Sequence, residues 1–401
     1  MTVKCIVGCL VGSVLVLGSV AQASAAGEGI QLGPALVFPS LSVTETYDDN
    51  LNLASTDTVS DWETSIAPAV RLLLPVRRFY LEAEGGLDFL SYKDATQNNT
   101  TDWYAGVAVG ADFPGGLSFK LGGKQTSTFL VGSQEFGPGE GSELNTLRGA
   151  VAYKVRDALR LELTGLRTEY VYDRSRGRER AENSLLAGLS WRFRPSLSAV
   201  VEVSSDSYVY DTNSAQDGSA VQVSLGLSWD VTARSTGFAK AGYQWKSYDV
   251  ENAALGTENA GYYTLSGGLR HNFTQRTMVQ LDLSRASAES DFPDNPYYLK
   301  TGIGASLSQR FTTKVYGRAG LRYDTEGYPN STTYTNPYDP ALLTHTGTRT
   351  DTVLEATAAV GFDMTRWLAL ELGYTGESRD SSFDTFDYTV NRVSLSAKAV
   401  F

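Results

Sequence analysis

The chain of 401 residues has very few cysteines and histidines, two of each. Cys5 and Cys9 both lie within the first ten residues, so a mature chain that begins after them has no thiol. This excludes disulfides, thiol nucleophiles and thiolate metal ligands. Neither His271 nor His345 stands in a recognisable Asp–His–Ser arrangement. The sequence therefore predicts no enzyme, no cofactor and no metal site.

Long apolar runs are also missing beyond the N-terminus. Lys4 precedes an apolar stretch from Ile6 to Val20, and small residues of the A-x-A kind follow at Ala21–Ala26. This pattern predicts a cleaved Sec signal peptide over residues 1–26, because the stretch is short and has no stop-transfer flank. We therefore expect an exported protein whose single domain spans residues 27–401.

The composition is acidic and aromatic. The net charge of −11 argues against nucleic acid and anionic membrane surfaces as partners. Tyrosine (22), phenylalanine (16) and glycine (39) are plentiful. A soluble β protein can have this composition, and so can a membrane barrel, in which alternating strands average to a mildly polar sequence.

The last segment, residues 391–401, alternates between apolar and polar side chains. Val393, Leu395 and Phe401 fall on one parity with two alanines, whereas Arg392, a lysine and two serines fall on the other. Strict period-2 alternation predicts a strand with one apolar face. A strand that ends on a C-terminal aromatic resembles the closing strand of Gram-negative outer-membrane barrels, which the barrel-assembly machinery reads. The three named residues form the predicted assembly signal.

The same alternation recurs in about eighteen segments, joined in turn by tight turns and by longer polar loops. Short turns are predicted at Pro75–Arg78 and Pro114–Gly116, and long loops at Phe129–Glu143 and Thr325–Thr348. Because only a closed sheet satisfies its backbone in lipid, we predict an all-β fold. It is a single closed antiparallel transmembrane barrel of about 18 strands, or 16 if one hairpin is an in-folded loop. Short turns and both termini would face the periplasm, and long loops the outside of a Gram-negative bacterium.

A barrel of this size predicts an aqueous lumen, because wall side chains cannot fill its middle. A constriction would come from an in-folded loop, with Thr325–Thr348 the first candidate and Phe129–Glu143 the second. Charges on the parity opposite to the apolar set are the candidate lumen-lining residues. They are Glu82, Glu84, Asp88, Arg160, Glu162, Arg192, Arg270, Arg310, Arg318, Arg322 and Arg392. Basic residues in the later strands would favour acidic polymers or anions, although any water-facing wall carries such charges.

The first hairpin carries a family resemblance. Residues 38–51, with Tyr47-Asp48-Asp49-Asn50 at the outer end, are similar to the start of the putative beta-barrel porin 2 family. The turns with arginine and the aromatic-ended strands that follow resemble it over nearly the full mature chain. The resemblance implies an outer-membrane exit pore for a secreted exopolysaccharide or capsule polymer. Periplasmic export proteins and the polymer itself would be its partners, beside outer-membrane lipid and lipopolysaccharide.

Two other functions stay open at this stage. One is a general or substrate-selective diffusion porin on the same barrel. The other is a structural or adhesive surface barrel, which would use its loops and need no open pore.

Overall fold

The strands of the chain form one closed barrel. The computed structural model describes residues 27–132, 139–232, 234–252, 256–290, 292, 294–335 and 344–401, so the predicted signal peptide lies outside the described residues. The strands are β1 (Ile30–Leu32), β2 (Ala35–Asp48), β3 (Asp61–Val76), β4 (Phe79–Tyr92), β5 (Thr100–Asp112), β6 (Leu117–Leu130), β7 (Glu140–Arg156), β8 (Leu159–Tyr172), β9 (Arg180–Arg194), β10 (Leu197–Tyr210), β11 (Gly218–Thr232), β12 (Ser235–Tyr248), β13 (Ala260–Asn272), β14 (Thr277–Glu289), β15 (Tyr297–Arg310), β16 (Val315–Tyr334), β17 (His345–Asp363), β18 (Leu368–Ser381) and β19 (Tyr388–Val400). Single 3-10 turns lie at Thr96–Asn98, Arg176–Arg178, Ser214–Gln216 and Asp384–Phe386.

Each strand from β2 to β19 pairs antiparallel with the next, and β19 pairs with β2. This closure confirms the predicted single antiparallel barrel. The barrel has 18 strands, β2 to β19, and not 16. Within the described residues, no helix is long and apolar enough to cross a membrane.

The two ends of the barrel differ in their connections. One end has short turns, such as residues 77–78 between β3 and β4 and residues 195–196 between β9 and β10. The other end has longer connections, such as residues 49–60 between β2 and β3. We call them the turn end and the loop end. The segregation follows the predicted pattern.

The outer face is an apolar band between two rows of aromatic side chains. In β4, Phe79 and Phe89 lie near opposite ends of the strand and are 52% and 45% exposed. Ten residues at about 3.3 Å each cover about 33 Å, which a tilt of about 40° reduces to about 25 Å. This is the thickness of the apolar band of an outer-membrane barrel. Phe273, Phe311 and Trp367 extend the row at the turn end, and Trp62 and Trp245 extend the row at the loop end.

The barrel closes where its last strand meets its first. The Phe401 amide donates a hydrogen bond to the Pro39 carbonyl over 3.0 Å, and its ring stacks on Trp367 with centroids 5.5 Å apart. Val393, Leu395 and Phe401 are exposed on the outer face. The short strand β1 pairs with the first residues of β2 beside this closure.

Candidate functional site

The eleven charges predicted to line the lumen alternate with the exposed apolar residues of their strands. In β4, Glu82, Glu84 and Asp88 have the parity opposite to Phe79 and Phe89. The same relation holds on β8, β9, β13, β15, β16 and β19. Successive side chains of a strand point to opposite faces, so these residues lie on the inner face of the closed sheet.

On one side of the barrel the inner charges are open to water. Lys120 on β6 contacts Glu82 on β4 over 2.9 Å, with side chains 51% and 43% exposed. Lys124 and Glu84 form the same contact over 2.9 Å. On β8, Arg160 lies 3.1 Å from Glu162, and both are more than 40% exposed. We call the inner face of β4 to β9 the open wall.

Small residues of β5 allow these ion pairs to form across a whole strand. The inner face of β5 carries Gly106, Ala108 and Gly110 between the two charged strands. A Cβ at Gly110 would overlap the Tyr80 ring, and one at Gly106 would come within 3.4 Å of Glu84 Cγ. Larger side chains here would separate the lysines from the glutamates.

On the other side of the barrel the inner charges are compensated at close range. Arg322 bonds Asp282 and Asp324, each over 2.9 Å, and Arg318 bonds Glu371. The remaining predicted residues differ in their contacts. Arg310 lies 3.1 Å from Asp363, Arg392 lies 2.7 Å from Asp48, and Asp88 accepts a bond of 2.5 Å from Ser65. Arg192 and Arg270 have no ion pair within the described chain.

A hairpin folds into the loop end of the lumen. The β13–β14 ladder stops at Leu265 and Arg285, whereas β14 and β15 stay paired up to Glu289 and Tyr297. Ser287 then donates to Gln244 over 3.2 Å, and Tyr297 stacks on Tyr262 with centroids 5.7 Å apart. Gln244 and Tyr262 belong to the inner faces of β12 and β13. The tip therefore leaves the wall and lies over the interior in its described residues, 286–290, 292 and 294–298. We call it the in-folded hairpin.

An aromatic cluster holds one face of the in-folded hairpin. The Phe292 ring lies 5.3 Å from Tyr328 on β16 and 5.8 Å from Phe386 in the connection between β18 and β19. The Arg349 guanidinium lies 3.8 Å from the Phe386 centroid and bonds Asp351 over 2.6 Å. Arg349 and Asp351 are both fully buried, so this anchor is dry.

A polar seam forms the other face of the hairpin. Glu289 bonds Lys246 on β12, and it accepts a hydrogen bond of 3.0 Å from the Tyr210 hydroxyl on β10. The hydroxyls of Tyr248 and Tyr262 are buried beside this seam without a hydrogen-bond partner in the described structure. The hairpin thus bridges the interior from the β10–β12 wall to the β16–β18 wall.

This constriction differs from both predicted ones. Most of Thr325–Thr348 belongs to β16 and β17, which extend to Tyr334 and His345 and supply part of the anchor, while residues 336–343 lie outside the described residues. Phe129–Glu143 likewise falls partly on β6 and β7, and residues 133–138 lie outside the described residues. The prediction ranked the connections by length, and the connection of the in-folded hairpin, residues 290–296, is shorter than both. A better signal is the aromatic content of a short loop, here Phe292 with two tyrosines at 297 and 298.

Both histidines pack against aromatic rings. His271 packs edge-on against Phe273 at the turn end, with centroids 4.5 Å apart. His345 stacks on Phe383 beside the anchor, with centroids 5.1 Å apart. In the part of the chain that the structure describes, no group of three or more His, Asp or Glu side chains could hold a metal ion.

Comparison with known proteins places the fold. A model of the family described as Putative beta-barrel porin 2 matches residues 24–401. The crystal structure of Pseudomonas aeruginosa OpdQ is similar with a TM-score of 0.52 and 11% identity, over 92% of this chain and 100% of that chain. Pseudomonas aeruginosa OccK1 (OpdK) gives a TM-score of 0.49 and 12% identity, over 91% and 99%. No curated protein matches the chain. At such identities the likeness shows the fold alone.

Proposed function

Since the chain belongs to the Putative beta-barrel porin 2 family, we propose that it is a substrate-selective diffusion channel of the outer membrane for small polar solutes. The observation that carries the proposal is the in-folded hairpin. It bridges the lumen at the loop end and leaves the passage to the open wall. Solutes would cross by passive conduction through weak, replaceable contacts with the charges of that wall.

The constriction also bears on the implied role as a polymer exit. A polymer in transit needs a continuous wide path, whereas the hairpin is anchored by the buried Arg349–Asp351 pair and by packed aromatic rings. The resemblance alone supports polymer export, and that function stays a prediction. The adhesive or structural alternative has no specific observation in its favour.

The proposed orientation follows from the two ends. Short turns and both termini would face the periplasm, and the loop end would face the outside, as in bacterial barrels. The exposed Val393, Leu395 and Phe401 would then be available to the barrel-assembly machinery before the barrel closes. Protease added to intact cells should cut only loop-end connections, and cleavage in the turns would reverse the orientation.

Swelling of liposomes that contain the purified barrel tests the proposed function. We expect rapid swelling in an iso-osmotic pentose and slow or no swelling in a large oligosaccharide, because the hairpin narrows the path. Liposomes with heat-denatured protein are the control. Equal and negligible swelling in both solutes would contradict a diffusion channel.

A clean deletion strain distinguishes the proposed diffusion channel from a polymer exporter. Under our proposal, surface and secreted polysaccharide stay at the wild-type level when the barrel is absent. Loss of polymer that the intact barrel restores would instead favour the exit pore.

A further inference from the structure

One stretch of the open wall carries far more positive than negative charge. The regularly paired inner face of β6 to β9, in the half toward the turn end, has one carboxylate, Glu162, and six cations. We call these cations the basic track: Lys120, Lys124, Arg148, Lys154, Arg160 and Arg192. The chain as a whole has a net charge of −11, so this excess is local.

Three of the six cations are neutralised and three are not. Lys120 and Lys124 bond Glu82 and Glu84 of β4, and Arg160 bonds Glu162. In the described structure the other three members make no ion pair and no other polar side-chain contact. They are Arg148, Lys154 and Arg192. The carboxylates of Asp112 on β5 and Asp230 on β11 flank the track at the turn end without bonding to it.

Two cations of the basic track oppose each other directly. Lys154 and Arg160 are Cα partners across the β7–β8 pair, and both side chains are exposed on the inner face. Like charges in this position destabilise an antiparallel pair. A wall that needed only to be wet could carry serine or glutamine there, so the repulsion indicates a role for the charge itself.

Arg148 stands over a space that a glycine leaves. Its Cα partners are Gly122 on β6 and Leu166 on β8, so no charged side chain lies directly opposite. A Cβ at Gly122 would come 2.8 Å from the Cβ of Ala108. The guanidinium therefore faces a shallow floor of small residues between Lys120 and Lys124, with room for a solute group.

We propose that the basic track makes the passage selective for small organic anions that carry a carboxylate or phosphate group. Guanidinium groups match the planar, two-oxygen geometry of both, and lysine supplies additional point charges. An anion would move along the open wall by exchanging one unpaired cation for the next. The inference rests on the proposed channel function and names its solute class.

The reversal potential in a planar bilayer under a tenfold KCl gradient tests the proposal, with chloride as the probe. The wild-type reversal potential should have the sign of a channel that is more permeable to chloride than to potassium. In Arg148→Gln/Arg192→Gln, the chloride-to-potassium permeability ratio should fall by about threefold per lost charge, the effect of a unit charge about 7 Å from an ion in water. The preference should fade at 1 M salt, where screening acts within about 3 Å.

Arg167→Gln is the matched control, because Arg167 lies on the outer face, paired with Glu169 over 2.6 Å. It removes one positive charge by the same Arg→Gln substitution and should leave the reversal potential unchanged. A conducting wild type without anion preference would overturn the basic track and leave the channel standing. A folded barrel without conductance would overturn the channel itself. The sign of the reversal potential of the wild-type channel already shows whether anions are preferred. The test therefore does not depend on the folding of a variant.

Discussion

Charged side chains in this barrel differ widely in their exposure to solvent. The Lys124–Glu84 pair is about half exposed to the lumen, whereas Lys246 and Glu289 are 0% and 3% exposed. An exposed pair contributes about 0–1 kcal/mol, because water competes for both partners. A buried pair is costly to break, because the remaining charge has no solvent. The exposed pairs can therefore set selectivity without setting stability.

Substitution of Glu84 separates these two effects. In Glu84→Gln, Lys124 loses its counter-charge and keeps only its contact with the Tyr104 ring, whose centroid lies 4.5 Å from Nζ. We expect the chloride preference to rise about threefold, while the free energy of unfolding changes by less than about 1 kcal/mol. Reversal potentials and denaturant titrations measure the two quantities. Glu169→Gln, on the outer face, is the control, and an equal rise there would contradict the account.

At the scale of elements, the in-folded hairpin is a part of the described structure that leaves the regular wall. Two sets of contacts hold it. In the dry anchor, Arg349 packs on Phe386 and bonds Asp351. In the polar seam, Glu289 accepts a hydrogen bond from Tyr210. The Asn330 amide also donates to the Asn295 side chain over 2.8 Å beside the anchor. The hairpin position is thus fixed by side chains from β10, β12, β13, β16 and β17 and from the β18–β19 connection.

Removal of Arg349 should release the hairpin. Arg349→Met leaves the Asp351 carboxylate buried without its main partner, a loss on the order of 3 kcal/mol. We expect a larger and noisier single-channel conductance than in the wild type. Arg349→Met/Asp351→Asn leaves no orphan charge and should return the conductance toward the wild-type level. Identical current traces for the wild type and the single variant would show that the pair does not hold the constriction.

The sequence predicted the strands well because lipid on one side and water on the other force alternation. In β19, Val393 and Leu395 face outward and Arg392 lies on the opposite face. The same logic fails after Arg285, where Ser287, Ala288 and Glu289 are all buried. The face of Ser287 and Glu289 is covered there by Gln244 and Lys246, partners 43 residues away in sequence, which no local pattern records.

The alternation of side chains along a strand also predicts which charges face the lumen, but it does not predict which residues they bond. Arg318, Arg322 and Arg192 look alike in sequence, yet the first two bond carboxylates on strands that meet them only in the barrel. Arg192 does not, because the inner residues that adjoin it on β8 and β10 carry no carboxylate opposite it. Which cations stay available to a solute therefore depends on register across several strands.

At the scale of the whole molecule, closure by 18 strands makes a lumen that its wall cannot fill. The in-folded hairpin occupies one side of it, and the basic track lines the other. The structure thus combines a wide barrel with a narrow, charged passage. In the proposed channel, this combination would admit small solutes and oppose the transit of a polymer chain.

The most direct test is polymer exclusion from single channels. Conductance is measured with neutral polyethylene glycols of graded size, which lower the current only when they enter the lumen. We predict that only the smallest polymers lower it in the wild type. A variant with residues 289–296 replaced by a short Gly-Ser link should admit larger ones. Entry of large polymers into the wild-type channel as readily as into this variant would contradict the constricted channel.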